Sequence, residues 1–276
     1  MLELKNSGLP LYLDENNHVM ALSALLKCDG YSRKAAGKMR GLLADENHLP
    51  EGEPFYDVYR GIAYPEDEEL LKRYDFRYDI TIIMPGEING ECKKTSGHYH
   101  SWNPRKTNTY AEVYEVIQGT ALYILQKSGN FDTENPGDVR VDDLILATVH
   151  QGETIIIPPN YGHASINIGE GPLVFSNLAY VPCPVHYDPV KHFHGMSYYV
   201  KKKEGCLYIQ KNDNYHQVPS PKFAGVKENP RLGIRFGLPV YRSFQENPEA
   251  FRFLAEPDEY AEEIMSMLEY RQGLVK

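Results

Sequence analysis

Four side chains that could bind one metal ion are divided between two segments of the sequence. The first segment reads Gly97-His98-Tyr99-His100 and continues, after a polar insertion, to Glu112. Successive side chains of a β-strand point to opposite faces, so His98 and His100 would point the same way. Two imidazoles on one face can clamp a divalent cation, and a nearby carboxylate adds an oxygen donor. We therefore predict one metal site with these ligands: His98, His100, Glu112 and His163.

The donor set selects a class of metal. Three imidazoles and one carboxylate suit Fe, Mn, Ni, Co or Zn, whereas Ca²⁺ and Mg²⁺ prefer shells of oxygen atoms. One or two coordination positions would remain for a substrate oxygen. Glu115 is excluded as a ligand, because three residues along a strand place it on the face opposite Glu112.

Composition and charge narrow the function classes. The 276 residues, 42% hydrophobic and 24% charged, are typical of a globular protein with a sizeable core. The net charge of -9 argues against nucleic acid or an anionic membrane as partner, but it permits an anionic small molecule. Met1 to Lys5 does not resemble a signal peptide, and no apolar run could span a bilayer. The four cysteines form no CxxC pair, so we expect reduced thiols and a cytoplasmic location.

Short alternating runs between turn residues predict an all-β domain. From about residue 54, apolar alternation is interrupted by glycine and proline every few residues, and no long helical pattern intervenes. This texture is typical of an antiparallel sandwich or barrel. The predicted strands are 56–59, 78–84, 112–117, 121–125, 154–157, 173–175, 198–200 and 206–209.

The flanking segments predict extensions of a central barrel domain, which we place at residues 51–210. In the N-terminal extension, 1–50, a basic run at 32–40 is rich in helix formers. Such a run is usually a solvated face, and the alternative is a lid or a segment close to a bound phosphate. In the C-terminal extension, 211–276, prolines at 248 and 257 mark two helix starts. Apolar spacing predicts a helix over 260–271, with Gly273 as its stop.

Spacing around the predicted ligands resembles the two sequence motifs of the cupin superfamily. Six residues separate Glu112 from Gly119, and the second motif runs from Gly152 through Pro158 and His163 to Asn167. The resemblance implies a double-stranded β-helix, a jelly-roll barrel. Two departures stand out: Asn160 replaces a motif glycine, and the insertion 101–111 predicts a longer loop over the barrel mouth.

Within that superfamily the chain resembles the cupin-type, metal-dependent glucose-6-phosphate isomerases of archaea and some bacteria. The strongest matches are 95–100, 111–114 and 158–169, and the similarity covers roughly residues 50–200. The resemblance implies a step of glycolysis and gluconeogenesis, a homodimer and a divalent metal, with iron expected first. It also implies that the substrate phosphate is bound by Tyr56, Thr81, Thr95 and Gly97, with Tyr180, His186 and Tyr187 as further candidates.

The chemistry of such an isomerase fits the predicted ligands. Aldose–ketose interconversion moves a hydrogen between adjacent carbons, and a Lewis acid that polarises the carbonyl lowers the barrier. Glu112 is the expected base, and Tyr114 is expected to orient substrate or carry a proton. The reaction would convert glucose 6-phosphate to fructose 6-phosphate through a cis-enediol or by a hydride shift. The alternatives are a non-haem iron dioxygenase and a non-catalytic sugar-phosphate-binding protein.

Overall fold

The computed structural model describes residues 1–274, in which β-strands predominate. In chain order the strands are β1 (Leu2–Glu3), β2 (Leu11–Asp14), β3 (Val19–Leu22), β4 (Gly30–Ala35), β5 (Pro54–Arg60), β6 (Phe76–Ile83), β7 (Glu87–Ile88), β8 (Glu91–Cys92), β9 (Tyr99–His100), β10 (Glu112–Gln118), β11 (Thr120–Lys127), β12 (Asp143–His150), β13 (Thr154–Ile157), β14 (Tyr161–Asn167), β15 (Leu173–Tyr180), β16 (Val185–His186), β17 (Tyr198–Lys203), β18 (Cys206–Lys211), β19 (Lys222–Val226) and β20 (Leu268–Arg271). The α-helices are α1 (Glu68–Arg73), α2 (Asp188–His192), α3 (Val240–Glu246) and α4 (Ala261–Met265). Short 3₁₀ helices include Ala36–Met39, Pro248–Leu254 and Pro257–Glu259.

Two sheets face each other and form the barrel. One has the strand order β13-β10-β15-β6-β5-β4, and the other has the order β14-β11-β12-β19-β20. Neighbouring strands are antiparallel apart from β12 and β19. Side chains from both inner faces pack together, among them Tyr114 and Phe175 from the first sheet and Tyr123 from the second. The arrangement is the jelly-roll barrel that the cupin resemblance implies.

Both outer faces of the barrel are also covered, which explains the continuous apolar runs in its strands. The outer face of the first sheet packs against the N-terminal hairpin and α3, through residues such as Leu13 and Phe244. The outer face of the second sheet packs against the 36–43 segment and the residues around α2, through Met39 and Val190. A strand buried on both faces needs apolar side chains at successive positions, as in β12.

The predicted strands are confirmed, and several extend further than their sequence signals. The strand predicted at 173–175 continues as β15 to Tyr180, and that at 112–117 is β10. No strand was predicted over β12 or β14. Both are buried along most of their length, so they lack the alternation by which a half-exposed strand is recognised.

The basic run at 32–40 is not a helix. Its first part forms β4, which pairs with β5, and the 3₁₀ helix Ala36–Met39 follows. Pairing of Lys34 with Tyr56 outweighs the helix propensity of the run, as tertiary contacts commonly do.

The helix predicted over 260–271 is wrong beyond its first turns. It ends with α4, and Leu268 to Arg271 form β20 on the edge of the second barrel sheet. Pairing with β19 satisfies backbone groups that a continued helix would have satisfied internally. The extensions therefore supply strands to both barrel sheets. Residues 275 and 276 of the predicted C-terminal extension lie outside the described residues. Along residues 1–274, no helix combines the length and the apolar character that crossing a bilayer requires.

Candidate metal centre and its cavity

Backbone pairing brings the two histidine segments together. The N–H of His98 donates to the carbonyl of His163 at 3.1 Å, and the N–H of His163 donates to the carbonyl of His98 at 2.9 Å. His100 follows two residues later in β9, and Glu112 begins β10 on the facing sheet. The inner faces of the two sheets thus meet at this point.

The side chains of the four predicted ligands converge at one end of the barrel interior. The Nε2 atoms of His98 and His100 are 3.2 Å apart, and the Oε2 atom of Glu112 is 3.1 Å from His100 Nε2. His163 Nε2 lies 3.6 Å from the same carboxylate oxygen. One candidate ligand atom from each of the four residues lies within 4.8 Å of all the others.

These distances fit a shared cation. Ligand atoms at about 2.0–2.2 Å from one metal ion are themselves about 3 to 4 Å apart. The donor set, three imidazoles and a carboxylate, has the chemistry of a transition-metal site. The four residues therefore fit the metal that the sequence predicts.

Neighbouring groups orient two of these side chains. His100 Nδ1 is 2.9 Å from the carbonyl oxygen of Tyr110, which accepts its hydrogen and fixes the ring with Nε2 facing the cluster. The amide of Asn177 donates to Glu112 Oε1 at 2.7 Å. The hydroxyl of Tyr114 donates to Glu112 Oε2 at 2.9 Å and lies 3.0 Å from His163 Nε2. Outer contacts of this kind fix the direction of metal ligands.

Burial and mutual charge set the protonation states of the cluster. Burial, and next the imidazole of His100, lower the pKa of His98 to about 3. Burial and the neighbouring imidazoles also hold the pKa of His163 well below its ordinary value. Burial opposes the charged form of Glu112, but the hydrogen bond from His100 holds the pKa of the carboxyl below its usual range. Near pH 7 the imidazoles of His98 and His163 are thus neutral and Glu112 is ionised, the forms that bind metals. Burial lowers the pKa of His100, but its contact with Glu112 raises that pKa above the ordinary value.

The cluster opens into a cavity of about 300 Å³. Its wall comes mainly from the inner face of the first sheet and from the 95–98 segment, and the 180–187 segment borders it. Apart from His186, the residues predicted to bind phosphate line it, together with Tyr114 of the predicted catalytic pair: Tyr56, Thr81, Thr95, Gly97, Tyr180, Tyr187 and Tyr114. His186 does not line it, because its ring packs on Phe131 and its Nε2 atom lies 2.8 Å from Ser101 Oγ.

One end of the cavity carries unused hydrogen-bond donors and a positive charge. Within residues 1–274 the N–H groups of Ser96 and Gly97 have no hydrogen-bond acceptor. Gly97 has φ +78°, and a Cβ atom there would lie 2.8 Å from Met196 Sδ, so only glycine fits. Lys34 Nζ donates to Ser96 Oγ at 2.6 Å, and Tyr56 Oη lies 3.2 Å from the same oxygen. The basic run at 32–40 thus reaches the end of the cavity where the predicted phosphate contacts lie.

Sequence reasoning missed three charged residues of the cavity wall and one amide. Arg60, Arg77 and Asp79 lie on the inner face of β5 and β6, and Asn177 lies beside Asp79 on β15. A signal was present, since Arg77, Asp79 and Thr81 alternate with apolar residues in a buried strand. Charged residues at inward-facing positions of such a strand indicate a polar cavity.

The insertion 101–111 packs beside the barrel instead of covering its mouth. Of its residues Ala111 alone lines the cavity. Asn160, which replaces the motif glycine, has φ +72°, a conformation that asparagine tolerates better than most residues. Its side chain accepts from the N–H of Thr109 at 3.0 Å and donates to Asn108 at 2.8 Å. Asn160 therefore both makes the turn before His163 and holds the insertion.

Comparisons with known proteins match this chain to one family. A sequence model described as glucose-6-phosphate isomerase (GPI) matches residues 32–217. The glucose-6-phosphate isomerase of Thermococcus litoralis is 30% identical over 155 residues, which cover 54% of this chain and 68% of the relative. That of Pyrococcus furiosus is 30% identical over 152 residues, covering 54% and 69%. That of Thermococcus kodakarensis is 26% identical over 185 residues, covering 65% and 84%.

Solved structures show weaker likeness. An oxalate oxidase is 18% identical, with a TM-score of 0.34 and coverage of 55% of this chain and 66% of that one. An oxalate decarboxylase of Bacillus subtilis is 19% identical, with a TM-score of 0.28 and coverage of 45% and 25%. Likeness at this level carries no argument, whereas the family match spans more than half of the sequence. The chain belongs to the glucose-6-phosphate isomerase family.

Proposed function

We propose that this protein interconverts glucose 6-phosphate and fructose 6-phosphate at one bound divalent metal ion, with iron as the first candidate and Mn, Ni, Co or Zn as alternatives. The observation that carries the proposal is the convergence of three histidines and Glu112 at one end of a cavity with phosphate-type donors. The named relatives are isomerases of this sugar phosphate.

The phosphate end is supported by the donors around Gly97. A phosphate accepts hydrogen bonds from backbone N–H groups and hydroxyls, which here are those of Ser96, Gly97, Thr81 and Thr95. The ammonium of Lys34 adds a positive charge beside Ser96. We propose that the phosphate lies there and that Tyr56 and Tyr187 border it.

The sugar end would face the ligand cluster. A bound divalent cation would act there as a Lewis acid that polarises the substrate carbonyl. Glu112 is the proposed base: its Oε2 atom faces the cluster and its ionised form is favoured. The hydroxyl of Tyr114, hydrogen-bonded to that oxygen, can hold the carboxylate in place and share the proton.

A coupled assay tests the proposal. Fructose 6-phosphate is supplied to chelator-treated protein, divalent metals are added back singly, and formation of glucose 6-phosphate is followed. We expect activity to disappear on chelation and to return with at least one metal. A protein that binds metal fully but does not convert fructose 6-phosphate would contradict the isomerase assignment. Full activity in the metal-free protein would contradict the metal site.

Two matched variants locate the site in the same assay. Glu112→Gln removes the negative charge of the ligand, and we expect activity to fall by at least about 100-fold. Mutation of a residue that only contacts a metal ligand costs up to about 100-fold, and loss of the ligand itself should cost no less. Glu115→Gln changes the same residue type on the opposite face of β10 and serves as the control. Equal activities in the two variants would show that Glu112 is not the base.

Isotope exchange separates the two chemical routes. With glucose 6-phosphate as the substrate in D₂O, deuterium entering C2 of the recovered glucose 6-phosphate is expected if Glu112 transfers a proton through a cis-enediol. Complete retention of the original hydrogen would instead indicate a hydride shift.

A further inference from the structure

A second cationic group lies in the cavity, away from the proposed phosphate end. Alternation along β5 places Tyr56, Val58 and Arg60 on the inner face, and alternation along β6 places Arg77, Asp79 and Thr81 there. Arg60 is four residues from Tyr56 and Arg77 four residues from Thr81, a separation of about 13 Å along each strand. The two arginines therefore line a different part of the same cavity wall.

A buried carboxylate holds these arginines. Asp79 is 1% exposed, and it accepts from Arg77 Nε and Nη2 at 2.8 Å each and from the N–H of Gly61 at 2.9 Å. Arg60 Nη1 approaches Asp79 Oδ2 at 3.4 Å. Two guanidinium groups and one carboxylate leave one positive charge. Across residues 1–274, Asp79 is the only acidic side chain within 4.0 Å of either guanidinium.

One arginine is enough to compensate the buried charge of Asp79. The two-pronged contact of Arg77 together with the Gly61 N–H satisfies the buried carboxylate. The contact of Arg60 is longer than a good N–H···O bond, and its side chain stays 48% exposed at the cavity. Asp29, an acid beside Gly61, is paired with Lys27 at 3.5 Å. Arg60 thus keeps donors and charge for a ligand.

We propose that Arg60, positioned by Asp79 and Arg77, binds a second acidic group of the ligand, so that the cavity favours sugar phosphates that carry an additional phosphate or carboxylate. Guanidinium groups match both acids through paired N–H donors. This inference rests on the proposed function only in placing the first phosphate near Gly97. Such ligands would be substrates or competitive inhibitors of the isomerase.

Calorimetry on the metal-loaded protein tests the proposal with two matched pairs of ligands. Fructose 1,6-bisphosphate is compared with fructose 6-phosphate, and glucuronate 1-phosphate with glucose 1-phosphate. The first member of each pair differs from the second only by its additional acidic group. That group is a phosphate in the first pair and a carboxylate in the second, so the two pairs show which acid is preferred. We expect at least tenfold tighter binding of the two-acid member in one or both pairs.

Two variants test whether Arg60 causes the preference for two-acid ligands. Arg60→Met keeps the length of the side chain but removes the charge, and it should reduce the preference to within twofold while leaving the bound metal unchanged. Arg140→Met removes an exposed arginine outside the cavity and should keep the preference. A preference that Arg60→Met removes supports the proposal.

Other results overturn it. The proposal is wrong if neither pair shows a preference, or if neither two-acid sugar binds. It is also wrong if Arg60→Met weakens the binding of both members of a pair equally, which would place Arg60 on a sugar hydroxyl instead. The isomerase assay is independent, because it measures conversion of a monophosphate. If the protein prefers two-acid ligands but does not convert fructose 6-phosphate, the proposed function alone is wrong. If it converts fructose 6-phosphate but shows no such preference, the second subsite alone is wrong.

Discussion

At the scale of single residues, Tyr114 connects two of the candidate metal ligands. Its hydroxyl is bonded to Glu112 and lies next to His163, while its ring packs against Phe175 and Tyr123. The aromatic contacts do not depend on the hydroxyl, so a change to phenylalanine removes the polar contact with little effect on packing.

We therefore expect Tyr114→Phe to keep the fold and lower activity by about 10- to 100-fold, the usual effect of removing a group that supports a metal ligand. Melting temperature and metal content should stay near those of the parent, whereas the pH dependence of turnover should change. Steady-state assays from pH 5 to pH 9 check this. Parent-like turnover across that range would show that the hydroxyl does not assist Glu112.

Glu115 occupies the opposite face of the same strand and is a buried acid that has no cationic partner among residues 1–274. The N–H of Val240 donates to its Oε2 atom at 3.0 Å, and Ser176 lies near the same oxygen. Burial raises the pKa of Glu115 to about 8. The protonated form is therefore favoured in the folded protein well above the pH at which an unfolded glutamate ionises.

This shift predicts a pH dependence of stability. Between the unfolded pKa, about 4.3, and the folded pKa the native state binds more protons, so the Glu115 contribution to the free energy of unfolding falls as pH rises. Glu115→Gln should remove that fall and gain stability over the parent of the order of a few kcal/mol at pH 8.5, with little gain at pH 5. Urea unfolding at both pH values measures it. If the variant and the parent differed in free energy of unfolding by the same amount at pH 5 and pH 8.5, ionisation of Glu115 would not be the cause.

At the scale of elements, the insertion 101–111 connects the C-terminal extension to the candidate metal site. Asp258 accepts from Asn103 at 2.8 Å, Thr107 at 2.7 Å and Asn108 at 3.0 Å. The last residues of the insertion include Tyr110, whose carbonyl orients His100. A residue of the extension thus restrains the loop that directs a candidate ligand.

We expect Asp258→Ala to loosen this loop and weaken metal binding by about tenfold, the lower end of what lost outer contacts cost. Calorimetric titration of chelated protein with Co²⁺ or Mn²⁺ measures the change. Glu256→Ala is the control, because Glu256 pairs with Arg252 and has no bond to the insertion. Unchanged affinity in Asp258→Ala would show that the loop keeps its place without this contact.

At the scale of the whole molecule, the C-terminal extension completes the barrel. It contributes β19 and β20 to the second sheet, and Phe244, Phe251 and Phe253 to the cluster that covers the first. Burial of one phenylalanine stabilises by about 1.5–3 kcal/mol, and a whole domain is stable by only about 5–15 kcal/mol.

A chain ending at residue 221 should therefore fail to fold. It would expose the edge of β12 and the outer face of the first sheet, so we expect aggregation on expression. A chain ending at Arg271 keeps both strands and should stay folded. The two chains are compared by their solubility and their thermal unfolding. A soluble, cooperatively melting shorter chain would contradict this role of the extension.

Local sequence was sufficient to predict most of the strands and the group of three histidines and one glutamate that could hold a metal. His98 and His100 share a face because strand alternation is a property of the backbone, and their spacing to Glu112 and His163 identifies the family motifs. Short alternating segments between glycine and proline turns likewise predict the all-β class.

Only tertiary structure decided what the basic run and the C-terminal tail do. β4 and β20 form because neighbouring strands offer backbone partners, and no local pattern encodes a partner about twenty or forty residues away. The grouping of Arg60, Arg77 and Asp79, and the bond from Asp258 to the insertion, depend on how the sheets and extensions pack. The sequence by itself determined which chemistry the chain can hold, because side-chain type and strand period are local properties. The fold decided which charges face that chemistry, because contacts between distant segments exist only once the barrel has closed.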